Sequence, residues 1–198
     1  MDFDNPPPDP VAPLKAWLDE AGLIGLRNPR AMTLATVDPD GRPSARAVLL
    51  KDLDAAGAVF YTNSRSRKGR DLGGNPHAAL LFYWDKQARQ LSIEGRVSLV
   101  ADAEADSYFA SRPRGAQIGA WASNQSEPIT DRAMLQGRVA QVSEKYDGRE
   151  VPRPPHWVGY RVSLERIEFW QGQPDRLHDR VLYARGPDGG WTRQRLSP

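Results

Sequence analysis

The sequence predicts a mainly β protein with flanking helices, built as an antiparallel barrel or sandwich. Short runs rich in β-branched and other apolar residues recur along its 198 residues. Turn-forming residues such as Asp38-Pro39-Asp40-Gly41 separate neighbouring runs, which is typical of hairpins. Only a few segments have helical spacing, so we expect helices to flank the sheet.

The composition is that of a soluble globular protein, with 39% hydrophobic and 26% charged residues. The 27 basic side chains are interleaved with 25 acidic ones, so the net charge of +2 gives little support to nucleic-acid binding. The chain has no cysteine, which excludes disulfides, thiolate nucleophiles and cysteine-ligated metals. We expect no nucleic acid as a partner.

The sequence carries no signal for export or for a membrane. No apolar run approaches ~20 residues, and the acidic, Pro-rich start does not resemble a signal peptide. We therefore expect a cytoplasmic protein with no membrane partner. Residues 1–13 are predicted to form a flexible, Pro-rich N-terminal arm, and residues 14–198 are predicted to form a single domain.

The first predicted elements are a helix and two pairs of strands. Apolar residues at positions 14, 17, 18 and 21 have the spacing of an amphipathic helix that ends at Gly22. The segments 31–37 and 44–50 are predicted strands joined by the turn at 38–41. Residues 46–51 and 58–62 are likewise predicted to be strands on either side of a turn at 54–57.

Two longer strands are predicted next. Residues 78–84 are continuously apolar, which indicates a strand that is buried on both faces. From Gln90 to Leu99 apolar and polar residues alternate, so Leu91, Ile93, Val97 and Leu99 are expected to face the core.

The second half of the chain is predicted to contain two helices and several strands. Acidic residues begin a helix at 102 that Pro113 ends, residues 115–126 are expected to form an ordered loop, and 130–146 a helix. The predicted strands are 159–164, 166–171 and 177–185, with 191–196 as a candidate for a fourth.

A basic cluster opens the helix that follows the strand at 58–62. A polar residue between 63 and 66 can cap this helix, which puts Arg65, Arg67 and Lys68 in or beside its first turn. Cations are disfavoured at the positive end of a helix dipole, so three of them there indicate an anion, with phosphate the natural candidate. The alternative is a solvated basic loop, and this segment alone does not separate the two.

Two further groups of side chains have the chemistry of anion sites. Tyr108 and Arg112 lie one turn apart on a predicted helix and could hold a phosphate or carboxylate; the alternative is a core-edge Tyr beside a surface Arg. Arg176, His178 and Arg180 follow at i, i+2 and i+4 of a predicted strand, which would put all three on one face. Such a face favours an anionic ligand.

Common catalytic motifs are absent from the sequence. It contains no G-x-G-x-x-G, no Walker lysine loop, no H-E-x-x-H and no G-x-S-x-G. The three histidines are far apart in sequence, which gives no support to a metal site. Several anion sites and many aromatic residues favour a large phosphorylated aromatic ligand over a hydrolytic reaction.

From about residue 14 to residue 198 the sequence resembles the FMN-dependent pyridoxine/pyridoxamine 5'-phosphate oxidase family. The motifs of the first half are Arg46-Ala47-Val48-Leu49-Leu50-Lys51, Phe60-Tyr61-Thr62-Asn63, Ser66-Arg67-Lys68, Arg89-Gln90 and Ser111-Arg112-Pro113-Arg114. Those of the second half are Gln117-Ile118-Gly119-Ala120-Trp121, Gln125-Ser126, Ile167-Glu168-Phe169-Trp170-Gln171-Gly172, Arg176-Leu177-His178-Asp179-Arg180 and Arg195-Leu196-Ser197-Pro198.

The resemblance implies an antiparallel, homodimeric FMN-binding split β-barrel with two FMN sites at the subunit interface. The implied cofactor contacts are Arg46, Ala47, Val48, Leu49, Leu50, Lys51, Tyr61, Thr62, Arg67, Lys68, Gln90, Gln125, Ser126, Trp170 and Arg180. Gln125 and Ser126 would reach in from the partner subunit. Arg46 and Lys51 lie five residues apart and would point to opposite faces of a flat strand, so we expect a bulge or a ligand that wraps the strand edge.

The same resemblance implies the substrate contacts and the reaction. The implied substrate contacts are Lys51, Tyr108 and Arg112 on the 5'-phosphate, with Arg176, Leu177 and His178 near the pyridine ring. A hydride would pass from C4' of pyridoxine or pyridoxamine 5'-phosphate to flavin N5, and O₂ would reoxidise the flavin to give H₂O₂ and pyridoxal 5'-phosphate. Arg176 and His178 are the expected catalytic residues, which position the substrate and stabilise developing charge.

Two departures from the family's pattern keep alternatives open. Ala116 stands where many members have a Ser that helps to hold the substrate phosphate, and Tyr83 stands where a Pro is common. Both favour a related FMN oxidase of phenazine biosynthesis, whereas the presence of Lys51 and Arg112 favours the vitamin B6 reaction. A third alternative is a flavin- or nucleic-acid-binding barrel without catalysis.

Overall fold

The computed structural model describes every residue from Met1 to Pro198. Its helices are α1 (Val11–Leu23), α2 (Arg67–Gly74), α3 (Asp102–Ala110), α4 (Arg114–Ala122) and α5 (Arg132–Lys145). Its strands are β1 (Ala31–Val37), β2 (Pro43–Leu49), β3 (Asp52–Asp54), β4 (Gly57–Asn63), β5 (His77–Trp84), β6 (Arg89–Leu99), β7 (Trp157–Val162), β8 (Arg166–Gln171), β9 (Asp179–Arg185) and β10 (Trp191–Arg195). The chain is therefore mainly β, as predicted.

Six of the strands curl into an antiparallel barrel. β2, β1, β5 and β6 are neighbours in the sheet, and β6 continues through β7 to β4. The barrel closes where the backbone N–H of Lys51, just after β2, donates to the carbonyl of Val59 on β4 at 2.8 Å. The turn at 54–57 joins β4 to the short strand β3, and not to the predicted strand 46–51, which pairs with β1 instead.

β6 belongs to two sheets at once, and this splits the barrel. Its first half, Arg89–Glu94, pairs with β8, whereas its last residues, Val97–Leu99, pair with β7. Gly95 lies between the two pairings, where a Cβ would come within 1.9 Å of the carbonyl oxygen of Ser163, so only glycine fits. β8, β9 and β10 extend the sheet beyond the barrel. The predicted antiparallel split barrel is confirmed.

The main core is aromatic and includes the inner face of α1. Trp17 on this helix is 1% exposed, and its ring packs edge-on against Trp84 and Phe169 at centroid distances of 6.5 and 5.1 Å. Phe82 and Ile93, from neighbouring strands, are completely buried in the same cluster. The removal of this apolar surface from water is the main term that stabilises the barrel.

The Pro-rich N-terminal segment contacts the extended end of the sheet. The hydroxyl of Tyr183 on β9 donates to the carbonyl of Pro7 at 2.8 Å, and the ring of Phe3 lies 6.2 Å from that of Trp17. α1 begins at Val11, inside the predicted arm, because prolines are tolerated in the first helical turn, where their missing N–H has no partner to lose. The flexibility of residues 1–10 stays a prediction.

The strand predictions hold better for position than for burial. The hairpin of β1 and β2 and the bounds of β8 are confirmed. β5, however, is buried on one face only, and Tyr83 on its outer face is 63% exposed, because neighbouring strands cover the edges of a strand and not its outer face. Leu99, predicted to face the core, is 62% exposed at the very end of β6.

The segment 115–126, predicted as an ordered loop, is helical as far as Ala122. Gly115 and Gly119 lower its helix propensity, which is why the sequence indicated a loop. The helix forms because the carbonyl of Pro113 accepts from the next turn and because Ile118 and Ala122 are buried. The helix predicted over 130–146 is confirmed as α5. No helix of the chain has both the length and the apolar character needed to cross a membrane.

Candidate cofactor and substrate site

The basic cluster lies at the N-terminus of α2, as predicted. Ser66 is the cap, with its hydroxyl accepting from the N–H of Gly69 at 3.4 Å, so Arg67 and Lys68 are the first two helical residues. Lys68 is only 8% exposed, and its Nζ donates to Gln125 Oε1 at 2.9 Å and to Ser66 Oγ at 3.2 Å. Burial lowers the pKa of the Lys68 ammonium. A buried cation at a helix N-terminus is a strong anion site.

Arg46 is held beside this cluster by a buried network. Its guanidinium donates to Thr36 Oγ1 at 2.7 Å and to Ser44 Oγ, and it lies 3.6 Å from the carboxylate of Asp71 on α2. The same carboxylate accepts from Thr36 at 2.6 Å and from Ser44 at 2.9 Å. Burial raises the pKa of Asp71, but the two hydroxyl donors and the positive charges of Arg46 and Arg67 outweigh it and hold the pKa below its usual range.

Lys51 reaches the same site as Arg46 although the two are five residues apart. β2 ends at Leu49, and the chain then turns to pair with β4 through the Lys51 N–H. Arg46 and Lys51 were expected to point to opposite faces of one strand. They reach the same site because β2 ends between them, and no bulge is needed.

The predicted cofactor and phosphate residues line one cavity of about 340 Å³. Its lining is Arg46, Ala47, Val48, Leu49, Lys51, Tyr61, Thr62, Lys68, Tyr108, Arg112, Gln125 and Trp157. Every one of these except Trp157 was predicted from the sequence. An adjoining cavity of about 330 Å³ shares the Arg112 and Trp157 walls and is lined by Ala116, the residue that replaces a common Ser.

Three nearly parallel aromatic rings line the first cavity, and two of them, Tyr61 and Trp157, also line the second. The ring of Tyr61 lies 4.4 Å from that of Tyr108 and 5.0 Å from that of Trp157, with interplanar angles of 26° and 8°. The Tyr61 hydroxyl donates to Glu104 at 3.3 Å, and burial, together with that carboxylate, raises the pKa of Tyr61 to about 12. The phenol is therefore neutral at physiological pH and acts as a packed ring and a donor.

A second group of predicted residues lies on the outer face of the extended sheet. Gln90, Trp170 and Arg180 are directly opposite one another on β6, β8 and β9, and Tyr83 on β5 pairs with Gln90. Arg180 donates to Glu168 at 2.8 Å, a hydrogen bond that raises its pKa. Gln90, Trp170 and Arg180 were each predicted as cofactor contacts, but their alignment across neighbouring strands was not, because the sequence does not show the register of the strands.

Arg176 and His178 precede β9 and do not lie on its face, so the predicted strand periodicity is wrong for them. β9 begins at Asp179, and Asp175 and Arg176 have φ angles of 55° and 60° in a 3₁₀ turn. His178 is held by the backbone N–H of Gln173, which donates to its Nδ1 at 3.1 Å, and its ring lies 4.6 Å from that of Trp170. Leu177 between them is 70% exposed.

One chain does not bring the two groups into a single cavity. Trp170 on β8 and Leu49 on β2 are separated by β6, β5 and β1, which is four strand spacings or about 19 Å along the sheet. None of Gln90, Trp170, Arg176, His178 and Arg180 lines the cavity of Arg46 and Lys68.

The remaining predicted residues are placed as follows. Gln125, expected from the partner subunit, accepts from Lys68 and from Thr62 (3.1 Å) of its own chain. Ser126 is exposed with a φ of 73°. Leu50 is buried in the core, and Arg67 is exposed beside Arg46. Trp157, Asp71 and Glu104 were missed, because their roles depend on contacts between elements that carry no sequence motif.

The donor set fits a phosphorylated flavin. Nη1 of Arg112 is buried and has no hydrogen-bond partner in the chain, and burial lowers the pKa of this guanidinium. Lys68 at the α2 N-terminus lines the same cavity, so cations for anionic groups and aromatic and apolar side chains for a ring system are present together. The fold and this site together define the class: a split-barrel flavoprotein.

Comparison with known proteins agrees with this class and gives the family. The sequence model described as "Pyridoxamine 5'-phosphate oxidase" matches residues 18–146, and that described as "Pyridoxine 5'-phosphate oxidase C-terminal dimerisation region" matches residues 157–198. The chain belongs to the pyridoxamine 5'-phosphate oxidase family, and it is accordingly an oxidoreductase with FMN as cofactor.

Relatives and solved structures extend this result over the whole chain. The "Pyridoxine/pyridoxamine 5'-phosphate oxidase" of Rubrobacter xylanophilus is 56% identical over 98% of this chain and 89% of its own length, and that of Burkholderia multivorans is 55% identical over 100% and 93%. PhzG from Burkholderia lata 383, solved with tetrahydrophenazine-1-carboxylic acid, is 36% identical with a TM-score of 0.93, covering 99% of this chain and 96% of that one. An FMN-binding protein from Nostoc punctiforme, 15% identical over 98% and 100% of the two chains, shares the fold at a TM-score of 0.76.

Proposed function

We propose that this chain oxidises pyridoxine 5'-phosphate and pyridoxamine 5'-phosphate to pyridoxal 5'-phosphate, with O₂ as acceptor and H₂O₂ as second product. One observation carries the proposal: a single cavity is lined by four cations, which we group into two pairs, Arg46 with Lys68 and Lys51 with Arg112. Two pairs suit two phosphates, one on the cofactor and one on the substrate. The names of the relatives at 53–56% identity support the same reaction.

The FMN phosphate is assigned to the α2 end of the cavity. Lys68 and Arg67 at the helix N-terminus, with Arg46 beside them, supply the charge, and Ser66 Oγ and Thr62 Oγ1 are within reach of Lys68. Gln125 serves the site of its own chain in this proposal, as its contact with Lys68 supports. Ala47, Val48, Leu49 and Tyr61 would line the flavin, and Leu50 and Ser126 stay as predicted contacts.

The substrate phosphate is assigned to Lys51, Tyr108 and Arg112. Lys51 Nζ lies 5.6 Å from the centroid of the Tyr108 ring, and both reach the same cavity as Arg112. Ala116 lacks the hydroxyl that many members have, which removes one hydrogen bond of about 1 kcal/mol and weakens phosphate binding without abolishing it.

The site is completed across a homodimer interface in this proposal. The matched dimerisation region, residues 157–198, contains Trp170, Arg176, His178 and Arg180. Their distance along the sheet from the cavity of the same chain supports a role at the partner's cavity, together with Gln90. Residues 14–198 would act as one domain, because β8–β10 join the barrel through β6.

FMN, when bound, would supply the acceptor for a hydride from substrate C4' and the route by which the electrons reach O₂. The chain's residues hold the substrate ring in place for this reaction, which is a positioning task. Arg176 and His178 are assigned to that task because both are polar, lie in a turn beside Trp170 and are not consumed by ion pairs. Leu177, exposed between them, would pack on the pyridine ring.

A second candidate is oxidation of a reduced phenazine precursor. The 36% identity and high TM-score to PhzG favour it, as do Tyr83 and Ala116. Lys51 and Arg112 favour the phosphorylated substrate, because both line the cavity without an ion-pair partner in the chain and can each bind a phosphate oxygen.

Steady-state assays of the FMN-loaded protein distinguish the two candidates. We expect pyridoxine and pyridoxamine 5'-phosphates to be oxidised, with pyridoxal 5'-phosphate and H₂O₂ formed in equal amounts, and the unphosphorylated vitamers to be far poorer substrates. Faster oxidation of a dihydrophenazine carboxylate than of either phosphate ester would overturn the proposal.

A further inference from the structure

Arg112 is held in the cavity by aromatic rings and by no carboxylate. Its Cζ lies 4.8 Å from the centroid of the Trp157 ring and 5.5 Å from that of Phe109. One of its terminal nitrogens is buried and donates to no group of the chain. Cation–π contacts hold a guanidinium without consuming its N–H groups, so the donors of Arg112 stay available to a ligand.

Trp157 itself is rigidly fixed. It is 6% exposed at the start of β7, pairs in register with Asn63 on β4, and its carbonyl accepts from Arg153 at 2.8 Å. The rings of Phe109 and Trp157 form a T-shaped pair at 5.1 Å and 70°, and the Tyr61 ring stacks on Trp157 with an interplanar angle of 8°. Because the Trp157 ring is fixed, the Arg112 guanidinium that lies over it is held in place as well.

Lys51 is held in the same manner at the other end of the ring cluster. Its Nζ lies over Tyr108, whose ring is 6.0 Å from that of Trp157 and inclined to it by 20°. Lys51 and Arg112, the two cations assigned to the substrate phosphate, therefore each lie over one ring of the same packed aromatic cluster. Carboxylates in the same role would compete with the phosphate for the N–H groups, whereas rings do not.

We propose that Trp157 is a positioning residue for substrate recognition, which holds Arg112 by a cation–π contact so that its N–H groups bind the phosphate monoester dianion. This inference rests on the proposed function, in which Arg112 binds the substrate phosphate. Trp157 was not among the residues predicted from the sequence or implied by the family resemblance.

The test compares Trp157→Phe and Trp157→Leu in the FMN-loaded protein. Loss of a desolvated cation–π contact corresponds to about 5- to 30-fold weaker binding. We expect KM for pyridoxamine 5'-phosphate to rise by about this factor in Trp157→Leu and less in Trp157→Phe, with kcat within about threefold. FMN content should be unchanged. The matched control is Trp191→Leu on β10, which removes a cation–π contact with Arg185 of β9 (5.6 Å), and it should leave KM unchanged.

A binding readout separates this inference from the proposed reaction. Calorimetric titration of the FMN-loaded protein with inorganic phosphate measures the anion site without turnover, and Trp157→Phe, which keeps an aromatic ring in the core, should weaken it. In an Arg112→Ala background the Trp157 variants should have little further effect. Additive losses, or an unchanged phosphate affinity in both Trp157 variants, would refute the positioning role even if the oxidase activity is as proposed. If the Trp157 variants bind phosphate more weakly as expected but the wild-type protein has no oxidase activity, only the proposed function is refuted.

Discussion

The guanidinium of Arg46 and the carboxylate of Asp71 lie 3.6 Å apart, and the Asp71 side chain is 5% exposed. This contact joins β2 to α2 and so links the strand that carries Arg46 to the helix that carries Lys68. Thr36 and Ser44 donate to the same carboxylate, which leaves the buried charge fully compensated. We therefore expect the Asp71 carboxylate to contribute measurably to the free energy of unfolding.

We predict that Asp71→Asn removes part of the acid sensitivity of the fold. The pKa of Asp71 is depressed in the folded chain, so its stabilising contribution is present above its unfolded pKa, near 3.8, and is lost as pH falls below that value through the folded pKa. Asp71→Asn should lower the free energy of unfolding at pH 7 by about 2 kcal/mol and flatten its decline below pH 4. Urea unfolding as a function of pH measures both effects. The exposed Asp19→Asn is the control, and an equally steep decline in Asp71→Asn would contradict the prediction.

Gly159→Ala is predicted to displace the ring cluster. A Cβ at Gly159 would lie 2.6 Å from Cε1 of Tyr61, which is directly opposite on β4. The overlap should cost about 1–3 kcal/mol of stability and reduce the affinity for both FMN and substrate. Gly137→Ala, in α5 with open space around its Cα, should instead stabilise by about 0.5–1 kcal/mol. Thermal unfolding of the two variants checks the difference, and equal effects would contradict it.

The barrel was predictable where the local pattern and the burial agree. The turn residues at 38–41 determine the β1–β2 hairpin, and the strand predicted over 166–171 matches β8 residue for residue. The outer face of β5 and the helix α4 were mispredicted, because an apolar run does not tell which face is covered and because glycines conceal a helix that is stabilised by burial.

The site was predictable for residues within motifs and not for those that support them. Arg46, Lys68 and Arg112 were predicted and line one cavity. Arg176 was expected on a strand, but its backbone is in the left-handed region, which is incompatible with a strand. The residue types Asp175 and Arg176 alone do not predict a positive φ. Trp157 and Asp71 contact partners that are far away in sequence, which no local motif reveals.

Mixed dimers test whether each site is shared between subunits. Lys68→Ala and Arg176→Asn homodimers should both have low activity. If Lys68 of one chain and Arg176 of its partner serve the same site, co-folding the two variants yields heterodimers with one intact site, and activity returns to about a quarter of the wild-type value for random pairing. Assays of the co-folded mixture check this. No recovery, with heterodimers present by mass, would contradict the shared site.

Arg176→Asn also tests the assigned role of Arg176. Asn tolerates the left-handed φ of 60° at this position, so the turn should be kept while the guanidinium is lost. We expect kcat to fall by about 10²-fold with little change in FMN retention. Asp175→Gly, at the neighbouring φ of 55°, is the control that should retain activity. Equal losses of turnover and FMN in Arg176→Asn would contradict the role.

The central claim is tested most directly by an anaerobic reduction. The FMN-loaded protein is mixed with pyridoxine 5'-phosphate or pyridoxamine 5'-phosphate without O₂, and the visible absorbance of the flavin is followed. The proposed function predicts bleaching with either substrate, recovery when air is admitted, and one pyridoxal 5'-phosphate formed per flavin reduced. A flavin that stays oxidised with both phosphates, but is bleached by a dihydrophenazine carboxylate, would contradict the vitamin B6 reaction and favour the second candidate.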